Sequence, residues 1–318
     1  MCDIIVNKYK GEYANMQKMQ NADIWEKIVE EYKGVKSDNY LGIFGYPIKH
    51  TLSPIIHDMI SDEFSLGERY IPFEIDENLG EYVKSAYKNG IKGLNITVPF
   101  KERVIPYLCE VDDDAKKIGA VNTLVRTDKG YKGYNTDMEG LYRSIKETGT
   151  EIRDKEVIML GAGGAARAVA FMCKKYGAKK IYIINRSIDK AAALADDMND
   201  KETSKKFIPV SVDEYNTISN GKYIIIQCTS VGLKAEDGLP LIYDKNFYRL
   251  AEFAVDLIYN PAKTSFIKCM EELEIPAING LKMLLYQGII ANELWNNIEV
   301  DATLTEKIYS KLIKKLYR

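Results

Sequence analysis

Glu156-Val157-Ile158-Met159-Leu160-Gly161-Ala162-Gly163-Gly164-Ala165-Ala166 carries an apolar run of strand length straight into a glycine turn. Beyond it, Ala165 to Tyr176 reads as a helix closed by Gly177, and Lys180 to Ile184 as the next strand. Strand, tight turn and helix in that order open a βαβ unit, and G-x-G-x-x-A in that setting has a physical meaning. Gly161 permits the turn, Gly163 lets backbone come close to a pyrophosphate, and Ala166 lets the helix pack near the strand with its N-terminus facing the anion. A dinucleotide-binding fold is the expectation for this half of the chain.

The end of the second strand selects the dinucleotide. A site for NAD carries Asp or Glu there to hold the ribose 2′-hydroxyl, whereas this chain has Asn185-Arg186-Ser187 followed by Lys190. A carboxylate would repel a 2′-phosphate, and a guanidinium pairs with one as a fork, helped by the Ser187 hydroxyl and the Lys190 ammonium. NADP is the coenzyme expected.

Working outward, strand and helix periods alternate on both sides of the turn. Leu41 to Phe44, Tyr70 to Ile75, Gly93 to Thr97 and Val121 to Arg126 read as strands; Pro54 to Phe64, Leu79 to Asn89 and Glu102 to Leu108 read as helices. After a helical Asp137 to Thr148 the second series adds strands at Tyr223 to Cys228 and Phe253 to Leu257. Leu281 to Trp295 and Leu304 to Tyr317 have helical period. The alternation predicts mostly parallel sheets and an α/β chain of two domains. The expected layout is an α/β substrate-binding domain over residues 40–137, completed by the C-terminal helices 281–318, and a Rossmann-type NADP-binding domain over residues 138–280, with a cleft between them. Residues 1–39 read as an extension with one amphipathic helix, since Ile24, Ile28, Val29 and Tyr32 recur at helical spacing.

The 318-residue length suits two domains. Lys+Arg number 44 against 46 Asp+Glu, and no dense basic block stands out, which argues against nucleic acid as a ligand. Neither a basic leader before an apolar stretch nor an apolar run of membrane-spanning length is visible, so a cytoplasmic enzyme without a membrane partner is expected. Five dispersed cysteines without a C-x-x-C pair suggest neither disulfides nor structural zinc. With only two histidines, His50 and His57, no metal site is expected, and acid–base work falls to Lys, Asp, Glu or Tyr.

Four polar, turn-rich segments sit at strand ends: Gly45 to Pro54, Asn95 to Lys101, Gly119 to Leu124 and Gly133 to Asp137. Residues just past the carboxyl ends of parallel strands converge on one crevice. Their hydroxyls and amides, one ammonium and one carboxylate suit a small polyhydroxylated anion. Each piece also has a plain structural reading: Ser53-Pro54 as a helix start, Asn122 as a turn cap, Lys101 as an exposed lysine.

Taken in order, these segments resemble the shikimate dehydrogenase family, including its quinate/shikimate members. The family's H-S-x-S-P, N-x-T-x-P-x-K, G-A-V-N-T, N-T-D, G-A-G-G-A, N-R-[ST], T-S-x-G, D-x-x-Y and N-G-x-x-M-L-x-x-Q patterns are matched in order between Leu41 and Trp295, the first with Thr51 in place of its serine. The resemblance implies reversible reduction of 3-dehydroshikimate to shikimate by NADPH, in aromatic amino acid biosynthesis, by a monomer or homodimer. It implies Lys101 and Asp137 as the catalytic pair, with Thr51, Ser53, Thr97, Asn122, Tyr259 and Gln287 around the substrate's carboxylate and hydroxyls. It also places Gly161, Ala162, Gly163, Gly164, Ala165, Asn185, Arg186, Ser187, Lys190, Thr229 and Gly280 near the coenzyme.

The chemistry agrees with that pair. Hydride transfer between a secondary alcohol and nicotinamide needs a partner for the hydroxyl proton, and an ammonium serves as donor and stabiliser in the reducing direction. Three positions depart from the pattern: Thr51 for serine, Gln227 for asparagine, and Asp58 for asparagine after His57. Two other readings compete, a quinate/shikimate dehydrogenase of broader specificity and a non-catalytic metabolite sensor on the same fold. A sensor has no need of a proton shuttle, which favours the enzyme.

Overall fold

A computed structural model describes residues 39–48, 51–75, 77–199, 206–234 and 237–317. The helix expected within residues 1–39, and His50, lie outside the described residues. The chain divides into two compact units: one holds the described residues through Asn135 with Ala291–Ile308, the other Thr136–Ile290 and the residues from Tyr309 on.

The first unit opens with β1 (Tyr40–Gly45), α1 (Ser53–Glu63), β2 (Arg69–Glu74), α2 (Leu79–Lys88) and β3 (Gly93–Ile96). β1 is buried along its whole length, as a strand covered on both faces should be. α2 buries Leu79, Tyr82, Val83 and Ala86, the i, i+3, i+4, i+7 stripe of an amphipathic helix. After β3 come β4 (Glu110–Val111), α3 (Asp113–Ile118), β5 (Thr123–Thr127) and β6 (Gly130–Tyr134). The sheet order is β2-β1-β3-β5-β6-β4.

One expectation is corrected here. Glu102 to Leu108 is no α-helix: only Ile105–Tyr107 makes a 3₁₀ turn, because Pro106 lacks an amide hydrogen and disfavours helical backbone at the residue before it. The sheet is mixed: β1 pairs parallel with β2 and β3, and β4 with β6, while β5 runs antiparallel to both β3 and β6. β6 reads Gly130-Tyr131-Lys132-Gly133-Tyr134, and its two glycines hid the strand.

The second unit begins with α4 (Thr136–Lys146), β7 (Glu156–Leu160), α5 (Gly164–Lys175), β8 (Lys180–Asn185), α6 (Ile188–Met198) and β9 (Phe207–Ser211). It continues with β10 (Tyr223–Gln227), α7 (Lys245–Tyr248), β11 (Ala251–Asp256), α8 (Ser265–Glu272) and β12 (Ala277–Ile278). All pairs in this sheet are parallel, in the order β12-β11-β10-β7-β8-β9. Counted from β7 that is 3-2-1-4-5-6, the doubly wound order, and the strand order reverses between β7 and β10. The central strands are apolar runs with no exposed side chain from Val157 to Leu160 or Ile224 to Ile226, as burial under helices on both faces requires. Two helices end the chain, α9 (Leu281–Asn296) and α10 (Ala302–Leu316), each divided between the units. No helix among the described residues is long and apolar enough to cross a membrane.

Candidate active site

In the first unit the predicted residues gather at one end of the sheet. β1 and β3 are parallel with Phe44 opposite Ile96, so Gly45 and Thr97 leave the sheet side by side. The antiparallel β5 brings its amino end to the same place, because Thr123 pairs with both Asn95 and Tyr134. Backbone bonds close the cluster. Thr97 N donates to Phe44 O at 2.9 Å, Val121 N to Lys101 O at 2.8 Å, and Ile96 N to Asn122 O at 2.8 Å. Lys101 and Asn122 are thereby tied through main chain, with Lys101 half-buried and Asn122 buried.

Thr51 and Ser53 form a separate pair at the start of α1. The Thr51 hydroxyl donates to Ser53 Oγ at 3.2 Å and accepts the Ser53 amide at 3.3 Å. Pro54 supplies the first-turn residue that has no amide hydrogen to satisfy.

In the second unit the glycine turn occupies the point where the strand order reverses. Gly161 has φ +108°, and a Cβ there would lie 2.8 Å from Thr229 Cγ2, so the turn and the loop after β10 touch. At Gly163 and Gly164 a Cβ would meet nothing within 4 Å. These two residues and Ala165 are exposed, and no side chain caps the N-terminus of α5. A helix N-terminus that no side chain caps, with exposed residues beside a strand-order reversal, fits a dinucleotide pyrophosphate. At the end of β8, Asn185 donates to Ser187 O at 2.9 Å, Arg186 and Lys190 are exposed, and the Ser187 hydroxyl makes no cap bond to α6.

The remaining predicted residues are held by helix packing. Asp137 stands half-buried in the first turn of α4. Three residues on, a Cβ at Gly140 would lie 2.8 Å from the backbone nitrogen of Gln287, so α4 and α9 approach backbone to backbone beside both site residues. Glu147 fastens the far end, accepting from Lys282 at 2.5 Å and Tyr286 at 3.1 Å. Tyr142 stacks on Tyr176, which joins α4 to α5. Tyr259 follows β11, its carbonyl accepting from the Tyr317 hydroxyl. Gly280 has a structural reason of its own: a Cβ there would lie 2.1 Å from Leu257 O.

The strand order and the open glycine turn define the second unit as a Rossmann-type dinucleotide-binding fold. Residues 43–124 match the shikimate dehydrogenase substrate binding domain, and residues 143–234 the shikimate / quinate 5-dehydrogenase family. The shikimate dehydrogenase (NADP(+)) of Carboxydothermus hydrogenoformans is 39% identical over 273 residues, 84% of this chain and 94% of that one. Among solved structures, a chorismate mutase/shikimate 5-dehydrogenase fusion protein from Clostridium acetobutylicum superposes with TM-score 0.80 at 34% identity, covering 88% of this chain and 99% of that chain. The shikimate 5-dehydrogenase of Thermus thermophilus, solved with NADP(H) and shikimate, gives TM-score 0.74 at 28% identity over 86% of this chain and 98% of that one. This chain belongs to the shikimate dehydrogenase family.

Sequence reading passed over a buried polar network in the first unit. Lys92 pairs with Glu68 at 2.8 Å; Asn296 Nδ2 donates to Glu68 Oε2 at 3.1 Å and to Asn292 Oδ1 at 3.0 Å. Asn292 must then offer its NH₂ to His57 Nδ1, at 2.5 Å, which puts the ring proton on Nε2. That nitrogen is buried without a hydrogen-bond partner among the described residues. Burial lowers the His57 pKa from 6.5 to about 3, and a second ring proton would face a donor. No residue in this set repeats at a diagnostic spacing, so only the fold reveals it.

Signs differ among the buried titrating groups. Below its ordinary 6.5, His57 takes up a proton in the unfolded chain and not in the folded one, so its contribution to stability is lost as pH falls toward about 3. Burial raises Asp58 from 3.8 to about 7 and Asp256 from 3.8 to about 6, so both favour the folded state at low pH and lose that contribution as pH rises through those values. Replacing the imidazole isolates its share. The stability difference between wild type and His57→Gln should be flat above about pH 7 and shrink as pH falls below the ordinary 6.5, read from Tm at a series of pH values. A difference independent of pH would contradict the neutral, buried imidazole.

Proposed function

We propose that this chain is an NADP-dependent shikimate dehydrogenase, reducing 3-dehydroshikimate to shikimate reversibly in aromatic amino acid biosynthesis. The observation that carries the reading is the open glycine turn at the strand-order reversal, with Arg186 at the end of β8, in a member of this family. Residues 40–137, completed by C-terminal helix residues, act as the substrate-binding catalytic domain, and 138–280 as the coenzyme domain. Gly161, Ala162, Gly163, Gly164 and Ala165 hold the pyrophosphate; Arg186, Ser187 and Lys190 hold the 2′-phosphate; Asn185, Thr229 and Gly280 line the rest of the coenzyme site. Bound there, the coenzyme would supply the hydride as NADPH and would accept it as NADP⁺ in the reverse direction.

The chain's own residues handle binding and the proton. Thr51 and Ser53, whose hydroxyls already lie 3.2 Å apart, bind the substrate carboxylate. Thr97, Asn122, Tyr259 and Gln287 bind ring hydroxyls. In the reducing direction the Lys101 ammonium gives a proton to the developing alkoxide oxygen, and the Asp137 carboxylate orients the same hydroxyl. In oxidation the proton returns to Lys101. Among the described cysteines all four are free, which suits the cytoplasm, and a net charge of -2 suits a small-molecule enzyme without a nucleic-acid partner. We read the working form as a monomer or homodimer.

Mixing purified protein with shikimate and NADP should raise the absorbance of reduced nicotinamide; a flat trace with shikimate still bound would make the chain a sensor. Lys101→Ala should lower kcat by ~10² to 10⁴ with a modest change in KM. Unaltered turnover would remove Lys101 from the proton path. Arg186→Ala should lower kcat/KM for NADP while leaving that for NAD near its starting value. An unchanged coenzyme preference would place the 2′-phosphate elsewhere.

A further inference from the structure

Asn122 is placed against substrate in the reading above, yet an amide has two ends, one accepting and one donating. Four buried side chains fix which end it turns outward. Asn95 Nδ2 donates to Asn122 O at 3.3 Å and to Thr123 Oγ1 at 3.1 Å, while Asn95 Oδ1 accepts from Tyr70 OH at 2.7 Å. Thr123 Oγ1 in turn donates to Asn122 Oδ1 at 3.1 Å. Asn95, Thr123 and Asn122 are 4%, 0% and 2% exposed, so none of them has bulk water as an alternative partner.

The direction of this chain follows from one atom. Asn122 O is a backbone carbonyl and can only accept, so Asn95 must present its NH₂ on that side and its carbonyl to Tyr70. The second hydrogen of that NH₂ falls on Thr123 Oγ1, and the Thr123 hydroxyl itself donates to Asn122 Oδ1. A flipped Asn122 amide would forfeit the bond that Thr123 donates to it inside a buried site. Asn122 Oδ1 therefore faces Thr123, and Nδ2 is directed away from the pair.

We infer that Asn95 and Thr123 are positioning residues that lock Asn122 as a hydrogen-bond donor, so that the ligand atom it meets is an oxygen with a lone pair and not an ammonium. The inference rests on the reading that Asn122 contacts substrate. It deepens that reading by giving the contact a polarity, set from Tyr70 on β2 and Asn95 on β3 to Thr123 at the start of β5. A ring hydroxyl or ketone satisfies the donor; a protonated amine at the same ring position is rejected, having only hydrogens to offer.

Wild-type turnover of shikimate establishes the function before any variant is made. Asn122→Ala should then raise the shikimate KM, which tests the contact itself. Thr123→Val keeps the shape and deletes the hydroxyl; it should raise the shikimate KM about 3- to 10-fold, the worth of one net hydrogen bond, with a smaller change in kcat and none in the NADP KM. Thr123→Ser should restore the wild-type value. Combined with Asn122→Ala, Thr123→Val should add nothing further, an outcome that general loosening of the sheet would not produce. If Thr123→Val does not fold, Thr123→Ala deletes the same hydroxyl. A wild-type KM in Asn122→Ala overturns both the contact and its polarity. A raised KM in Asn122→Ala, with Thr123→Val at wild-type KM, unrescued by serine or fully additive, overturns the positioning role alone.

Discussion

The close approach of Gly161 to Thr229 is the constraint on which the coenzyme half depends. β7 and β10 are neighbours in register, Leu160 opposite Gln227, and they send their chains to opposite sides at that level. Only a residue without a side chain, at φ +108°, lets the turn after β7 pass the loop after β10. From there α5 starts without a side-chain cap, which leaves the positive end of its dipole available to a pyrophosphate. Gln227 stiffens the opposing loop: its carbonyl accepts Thr229 N at 2.5 Å, and its NH₂ donates to Thr229 O at 3.2 Å and Val231 O at 2.9 Å. The glutamine that departs from the family pattern is thus a buried tie across the loop after β10, and the pattern's asparagine would be one methylene shorter.

In the substrate-binding unit an antiparallel strand performs the corresponding service. A wholly parallel sheet would deliver only strand carboxyl ends to one edge. By running backwards, β5 delivers its amino end, and with it Asn122 and Thr123, to the edge where Thr97 and Lys101 emerge. The mixed sheet is therefore part of how the site is assembled. Its cost is a set of buried amides and hydroxyls at the sheet end, which the Asn95 network satisfies by internal hydrogen bonds.

Much of this was legible in the sequence for identifiable reasons. The glycine turn was readable because strand, turn and helix are local and contiguous, and Arg186 because its charge sits at a fixed distance along the chain from that turn. β6 was not, since Gly130 and Gly133 remove the alternation that marks a strand, and its stability comes from pairing with β5. The helix expected at 102–108 failed at Pro106, a signal that was present in the sequence and outweighed by the apolar period around it. Gly140 carries no local signal, and only the fold shows it to be where α4 meets α9. The His57 and Asn95 networks join residues far apart in sequence, up to 235 positions for Asn292 and His57, and no spacing rule reaches that far.

The central claim, that the turn beginning at Gly161 holds the coenzyme, has a direct test in Gly163→Val. A side chain there meets no protein atom within 4 Å of its Cβ, and the backbone at φ -88°, ψ -170° accepts a branched residue, so folding should be unaffected. Calorimetric titration with NADP should show tight binding to the wild type and a loss of at least about tenfold in the variant, equivalent to roughly 1.4 kcal/mol. Equal affinity in the two proteins would contradict the account.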